Sequence, residues 1–169
     1  MPPPAAPPGR PSAQAGFTLL EVLVVVAIIA VLTAMVVPNI GGSRGRDVSD
    51  AAHGMVLLIN QARQEASLTS RVWRVVLDPE EGQMRFQQRS GGDFAGVERS
   101  PFRRPRSYPG VRWGALTVNG DRARGVAEVY LYPTGEQDTF RLTLRAGDFD
   151  RTVVMDPVGR ARVEEGDNG

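Results

Sequence analysis

The chain contains no cysteine, no lysine and a single histidine, His53, among its 169 residues. Without cysteine there are no disulfides, no thiolate metal ligands and no cysteine nucleophile. One histidine is too few for the two-histidine zinc arrangements. Every positive side chain is therefore an arginine, and 20 of them face 19 acidic residues for a formal net charge of +1. A balance that close to neutral gives no strong nonspecific attraction for nucleic acid or anionic lipid. Aromatics are sparse at 7%, yet 41% of residues are hydrophobic and 23% charged, the composition of a globular chain.

Charge is missing most completely from one stretch. Leu19–Val37 reads LLEVLVVVAIIAVLTAMVV, interrupted only by Glu21 and Thr33. Roughly 20 helical residues cover the ~30 Å hydrocarbon core of a bilayer, so the run reads as a membrane helix. A cleaved secretory signal would be shorter and end in a small-x-small site; Pro38-Asn39-Ile40-Gly41-Gly42 makes a poor one.

Five segments follow from composition and period. Residues 1–16 hold six prolines and one charged side chain, Arg10, and form a leader without core or stable helix. Residues 17–38 carry the membrane helix, with a bend expected at Pro38. Residues 39–68 form an amphipathic helix. Val48, Ala51, Ala52, Met55, Leu58, Ile59, Ala62 and Ala66 make one apolar stripe, with Asp47, Asn60, Gln61, Arg63, Gln64 and Glu65 on the other side. Residues 69–164 are β-rich, with strands expected at Arg71–Leu77, Met84–Gln88, Val111–Val118, Val126–Tyr132, Phe140–Arg145, Thr152–Asp156 and Ala161–Glu164. The Asn119-Gly120-Asp121 turn separates the third from the fourth. Ser90–Gly110 shows no period, and residues 165–169 form a frayed tail. The fold class is α+β: a long N-terminal helix, half membrane-spanning and half amphipathic, packed on an antiparallel sheet.

The stretch Gly16-Phe17-Thr18-Leu19-Leu20-Glu21 sits where a carboxylate is unexpected, since charge inside a bilayer costs about 2–4 kcal/mol and usually has a partner. Together with the apolar run as far as Pro38, it resembles the prepilin signal of type IV pilins and type II secretion pseudopilins. The resemblance implies cleavage between Gly16 and Phe17 by a prepilin peptidase that also N-methylates Phe17. It implies that Glu21 acts in filament assembly by pairing with the terminal amine of a neighbouring subunit, and that Pro38 bends the helix. It also places the leader in the cytoplasm, the helix in the bacterial inner membrane and the globular part in the periplasm. Charge counting opposes that orientation, because Arg44 and Arg46 flank the helix on its far side while the leader offers only Arg10.

Tyr130-Leu131-Tyr132-Pro133-Thr134-Gly135-Glu136 followed by Phe140–Leu144, and Val153–Arg160 after it, are similar to the strand-turn-strand and closing strands of the minor pseudopilin H family. That resemblance implies a subunit near the pseudopilus tip that helps export folded proteins across the outer membrane. The partners it implies are the minor pseudopilins I, J and K and the major pseudopilin G. Major pilins usually close a loop with a disulfide, which this chain cannot form.

A second reading is a minor type IV pilin of the FimT/FimU type, some of which bind DNA through a Gly-Arg-x-Arg motif. Gly159-Arg160-Ala161-Arg162 fits it, making Arg160 and Arg162 the candidate contacts. Five arginines between Arg99 and Arg112, interleaved with Phe102 and Tyr108 and followed by Trp113, add an Arg-aromatic segment suited to phosphates or bases. Glu164, Glu165 and Asp167 beside the motif, and the neutral overall balance, argue against nucleic acid.

No catalytic residues, metal ligands or cofactor site emerge. His53 reads as a helix-surface residue and Asp148-Phe149-Asp150 as a turn without the remaining ligands of a calcium loop. Asp78, Glu80 and Glu81 read as a solvated hairpin turn, and Gly91-Gly92 lacks phosphate-loop context. The chain is expected to be a substrate of processing enzymes, not an enzyme.

Overall fold

The computed structural model describes residue 1 and residues 19–35, 40–157 and 159–165. The chain divides into two units, Met1–Asn39 and Ile40–Gly169.

In the first unit, α1 spans Leu19–Met35, 17 residues with Glu21 in the first turn. Leu20, Leu23, Val26 and Ile29 are all more than half exposed, so apolar side chains face outward around the helix. At 1.5 Å per residue, 17 residues give roughly 26 Å. Among the described residues no helix is long and apolar enough to cross a membrane. The apolar sequence continues to Val37, and residues 36–39, with the expected bend at Pro38, lie outside the described residues.

The second unit opens with α2, Ile40–Thr69. All eight residues of the expected stripe are buried, none more than 9% exposed. The helix stops at Ser70, whose φ of 51° is left-handed. Arg71 N donates to Ala66 O at 3.2 Å and Ser70 N to Ser67 O at 3.4 Å, the reciprocal pair that closes a helix end.

Among the described residues ten strands follow: β1 (Trp73–Asp78), β2 (Gln83–Ser90), β3 (Asp93–Gly96), β4 (Arg106–Ser107), β5 (Arg112–Val118), β6 (Asp121–Arg122), β7 (Ala127–Leu131), β8 (Phe140–Ala146), β9 (Phe149–Met155) and β10 (Arg162–Glu165). They form two antiparallel sheets, where one was expected. The first runs β3-β2-β1-β7, with β4 also on β2; the second runs β10-β9-β8-β5-β6. The helix α2 touches β8, β9 and β10 of the second sheet and β1 and β7 of the first, so its stripe closes a core shared by both.

The chain passes from one sheet to the other after the turn at Asn119-Gly120. That turn reverses the chain, but β5 gains only the two residues of β6 across it. The next expected strand, β7, leaves for the other sheet and pairs with β1 through Val75↔Val129 and Trp73↔Leu131. Turn residues set a local reversal; the buried faces of Val129 and Leu131, both 0% exposed, choose the partner. Strand β5 pairs instead with β8, with a register shift between Trp113 and Leu116. Gly114 sits in that irregularity, where a Cβ would lie 3.3 Å from Thr143 O.

The segment Ser90–Gly110, expected to be irregular, contributes β3 and β4 and plants Phe102 in the core at 3% exposure. Phe102 meets the rings of Trp73 and Phe86 edge to face, at 5.1 and 5.0 Å between centroids. A turn-rich loop can order itself once one aromatic side chain is buried.

Candidate functional site

The N-terminal site is only partly within the described residues. Gly16 and Phe17 lie outside them. Glu21 is exposed in the first turn of α1, where unpaired helix N–H groups and the helix dipole favour a carboxylate.

The Gly159-Arg160-Ala161-Arg162 motif is gripped from both sides by two amides. Asn60 donates through Nδ2 to Ala161 O at 3.0 Å and accepts at Oδ1 from Ala161 N at 2.9 Å. Gln137, 6% exposed, donates through Nε2 to Asp156 O and Gly159 O, each at 2.8 Å. Ala161 itself is 3% exposed. The helix α2 and the β7–β8 connection thus hold this turn as part of the core.

Its two arginines have different surroundings. Arg162 forms ion pairs with Asp156 and with Glu164, the latter at 3.2 Å, while Glu164 also pairs with Arg141 at 2.5 Å. Arg160 is exposed and lines a groove along α2. The two cations are not presented as a matched phosphate clamp.

The Arg-rich segment is likewise divided. Arg99 pairs with Glu65 of α2 and lies 5.9 Å from the Trp73 ring centroid. Arg106 donates to Pro101 O at 3.0 Å, and Arg103 lies 3.8 Å from Glu98 on the surface. Phe102 and Trp113 are buried, and Tyr108 is half-buried against Gly54, where a Cβ would stand 3.4 Å from the phenol oxygen. Burial holds the Tyr108 pKa above the ordinary phenol value, with Arg106 acting in the opposite direction. Rings turned into the core offer no stacking platform for bases.

The remaining candidates are structural. His53 is exposed and its Nδ1 donates to Ser49 O at 2.8 Å. Asp148 lies in the β8–β9 turn, where Gly147 takes a φ of 62°. Asp78 departs from the solvated role expected of it. It is 8% exposed, and its Oδ1 accepts from Glu80 N at 3.2 Å and Glu81 N at 3.1 Å, closing the β1–β2 turn.

Sequence reasoning missed a second polar cluster on the first sheet. Arg74 donates to Gln87 Oε1 and Glu128 Oε1, both at 2.6 Å, with its guanidinium 4.3 Å from the Phe94 centroid. Tyr130 donates its hydroxyl to Glu128 Oε2 at 2.6 Å and meets Phe94 edge to face. That bond to a carboxylate is the first cause of a raised Tyr130 pKa, and Arg74 works against it. Register places these residues side by side: β1, β2 and β3 follow one another in the chain, and β7 joins them from a distant stretch by pairing with β1.

With this geometry in place, two family models match the chain. Residues 11–37 match the prokaryotic N-terminal methylation motif, and residues 51–159 match type II transport protein GspH. The chain belongs to the GspH family. Its similarity to the type II secretion system protein H of Aeromonas hydrophila is 28% identity over 172 residues, covering 89% of this chain and 93% of that protein. A shorter stretch of 48 residues is 46% identical to the type II secretion system core protein G of the same organism, covering 28% of this chain and 34% of that one. In fold, the chain is similar to the minor pseudopilin EpsH of the Vibrio cholerae type 2 secretion system. The TM-score is 0.59 at 15% identity, covering 72% of this chain and 99% of that one. A second structure of EpsH gives 0.60 at 12% identity, over 72% and 97%. GspH membership bears out the reading of the chain as a type II secretion minor pseudopilin and does not favour the type IV pilus alternative.

Proposed function

We propose that this GspH-family chain works as an inner-membrane-anchored subunit near the tip of a periplasmic pseudopilus. The succession on one chain of a methylation motif at 11–37 and a GspH domain at 51–159 carries this reading. Prepilin peptidase cuts between Gly16 and Phe17 and methylates the new amine of Phe17. Residues 17–38 anchor the protein in the inner membrane, Pro38 bends the helix, and residues 39–164 stand in the periplasm. Glu21 pairs with the Phe17 amine of a neighbouring subunit, because a carboxylate buried without a cation would oppose assembly whereas a paired one selects the axial register. The partners are the minor pseudopilins I, J and K and the major pseudopilin G, and the assembly helps push folded proteins through the outer-membrane channel. The role is structural, and no step of it requires catalysis by this chain.

Two substitutions separate processing from assembly. Gly16→Val leaves an unprocessed band on a gel and abolishes secretion. Glu21→Ala leaves a processed, inserted protein that no longer co-purifies with other pseudopilins. Normal co-purification of the Glu21→Ala protein overturns the pairing role.

A further inference from the structure

The outward side of α2 carries a second, unexplained stripe. Leu57, Gln61, Gln64 and Leu68 follow one another at four, three and four residues, so they lie on one line along the helix. Leu57 is 63% exposed and Leu68 75%, although every apolar residue of the opposite stripe is buried. Roughly 16 Å, or three turns, separates the two leucines along the axis.

These residues line a groove of about 470 Å³ between α2 and the turn that carries Arg160. Arg63 and Arg160 lie on the same groove. The Nε of Arg63 is buried with no hydrogen-bond partner among the described residues. Neither arginine forms an ion pair among the described residues, in contrast with Arg99, Arg141 and Arg162 around them. Nearby carboxylates are already paired: Glu65 with Arg99, and Asp156 and Glu164 with Arg162. The groove therefore offers two uncompensated cations between two exposed leucines, on backbone held rigid by the Asn60–Ala161 bonds.

We propose that this groove docks an amphipathic helix of a neighbouring subunit, one that presents two apolar side chains about three turns apart and at least one carboxylate between them. Helix-in-groove binding reads apolar anchors that recur along one face of the docked helix. A carboxylate placed there compensates Arg63 and Arg160, whereas a basic or purely apolar helix leaves them uncompensated. A nucleic acid would use the cations but not the leucines. That the neighbour is a pseudopilus subunit rests on the function proposed above; the chemistry of the occupant does not.

The cysteine-free sequence makes the test clean. The full-length chain carrying Gln64→Cys is expressed in secreting cells, labelled with benzophenone maleimide and irradiated, and the cross-linked peptide is identified by mass spectrometry. The expected product is one adduct with a helical segment bearing Asp or Glu. Its yield falls at least fivefold with Leu68→Ser or with Arg160→Glu, both at exposed positions, and leader removal and protein level stay unchanged. Changing the captured carboxylate to Arg restores the yield in the Arg160→Glu chain. The docking proposal is overturned by a yield insensitive to both substitutions, by a captured segment without a carboxylate, by a nucleic-acid adduct, or by no adduct in cells that process and secrete normally. An acidic helix captured from a protein outside type II secretion upholds the groove and overturns the pseudopilus reading.

Discussion

Asn60 holds Ala161 by both of its backbone groups, accepting from the N–H at 2.9 Å and donating to the C=O at 3.0 Å across 101 residues of sequence. A side-chain amide can imitate a β-strand neighbour in this way, because its planar end carries both an acceptor oxygen and N–H donors. Through this pair the helix α2 fixes the entrance to β10 and the position of Arg160.

Replacing Asn60 tests the clamp. Asn60→Ala leaves the Ala161 N–H and C=O, both at a buried residue, without their partner, and lost partners of this kind cost about 1–3 kcal/mol each. A destabilisation of about 2–6 kcal/mol is expected in chemical denaturation. Asn60→Asp is expected to destabilise as well, because it retains the acceptor and turns a second oxygen toward Ala161 O.

Phe102 gives the corresponding test for the Arg-rich loop. Its ring lies against Trp73 and Phe86 at 3% exposure. Phe102→Ala should cost about 3–5 kcal/mol. It should also expose residues 97–110 to limited proteolysis, whereas a loop with no core anchor would show little change in stability.

The tyrosines give a spectroscopic test. Tyr108 and Tyr130 both have raised pKa values, the first by burial and the second chiefly by its hydrogen bond to Glu128. In the folded protein the neutral phenol is favoured, so the associated stability is complete below the unfolded value near 10 and falls as pH rises through the higher native values. Absorbance at 295 nm should show two tyrosines ionising above the ordinary phenol midpoint. Glu128→Gln should bring Tyr130 down and leave Tyr108 where it is.

Nucleic-acid binding is tested by salt-dependent gel shift of the purified chain in detergent. With Arg162 paired to Asp156 and Glu164, and Phe102 and Trp113 buried, no retardation is expected at micromolar protein. Retardation lost in the Arg160→Ala/Arg162→Ala double variant would restore the DNA reading.

What was legible in advance had a short period. The stripe from Val48 to Ala66 repeats every three to four residues, and the structure buries all of it because a helix presents those positions to one side whatever it packs against. Strands β1, β2, β8 and β9 showed in the same way, within two or three residues of their ends. The N-terminal segment was legible for another reason: its signal is a linear motif, and residues 11–37 match the prokaryotic N-terminal methylation motif.

Pairing across long distances was not legible. Nothing local to Val126–Tyr132 says that it belongs beside β1 in another sheet, since alternation specifies a buried face and not its neighbour. Asn60 looked like one more solvent-facing polar residue until the β10 entrance was brought against it.

The sequence by itself determined the N-terminal methylation motif, the apolar run, the helical stripe and the exclusion of thiol chemistry, because each depends on residue type or on spacing within a few turns. The tertiary structure alone decided the division into two sheets, the burial of Phe102 and the pairing of Arg99 with Glu65. It also left Arg63 and Arg160 without ion-pair partners among the described residues. The physical reason is that hydrogen bonding, charge compensation and core burial are set by distance in space, and partners such as Asn60 and Ala161 lie 101 residues apart along the chain.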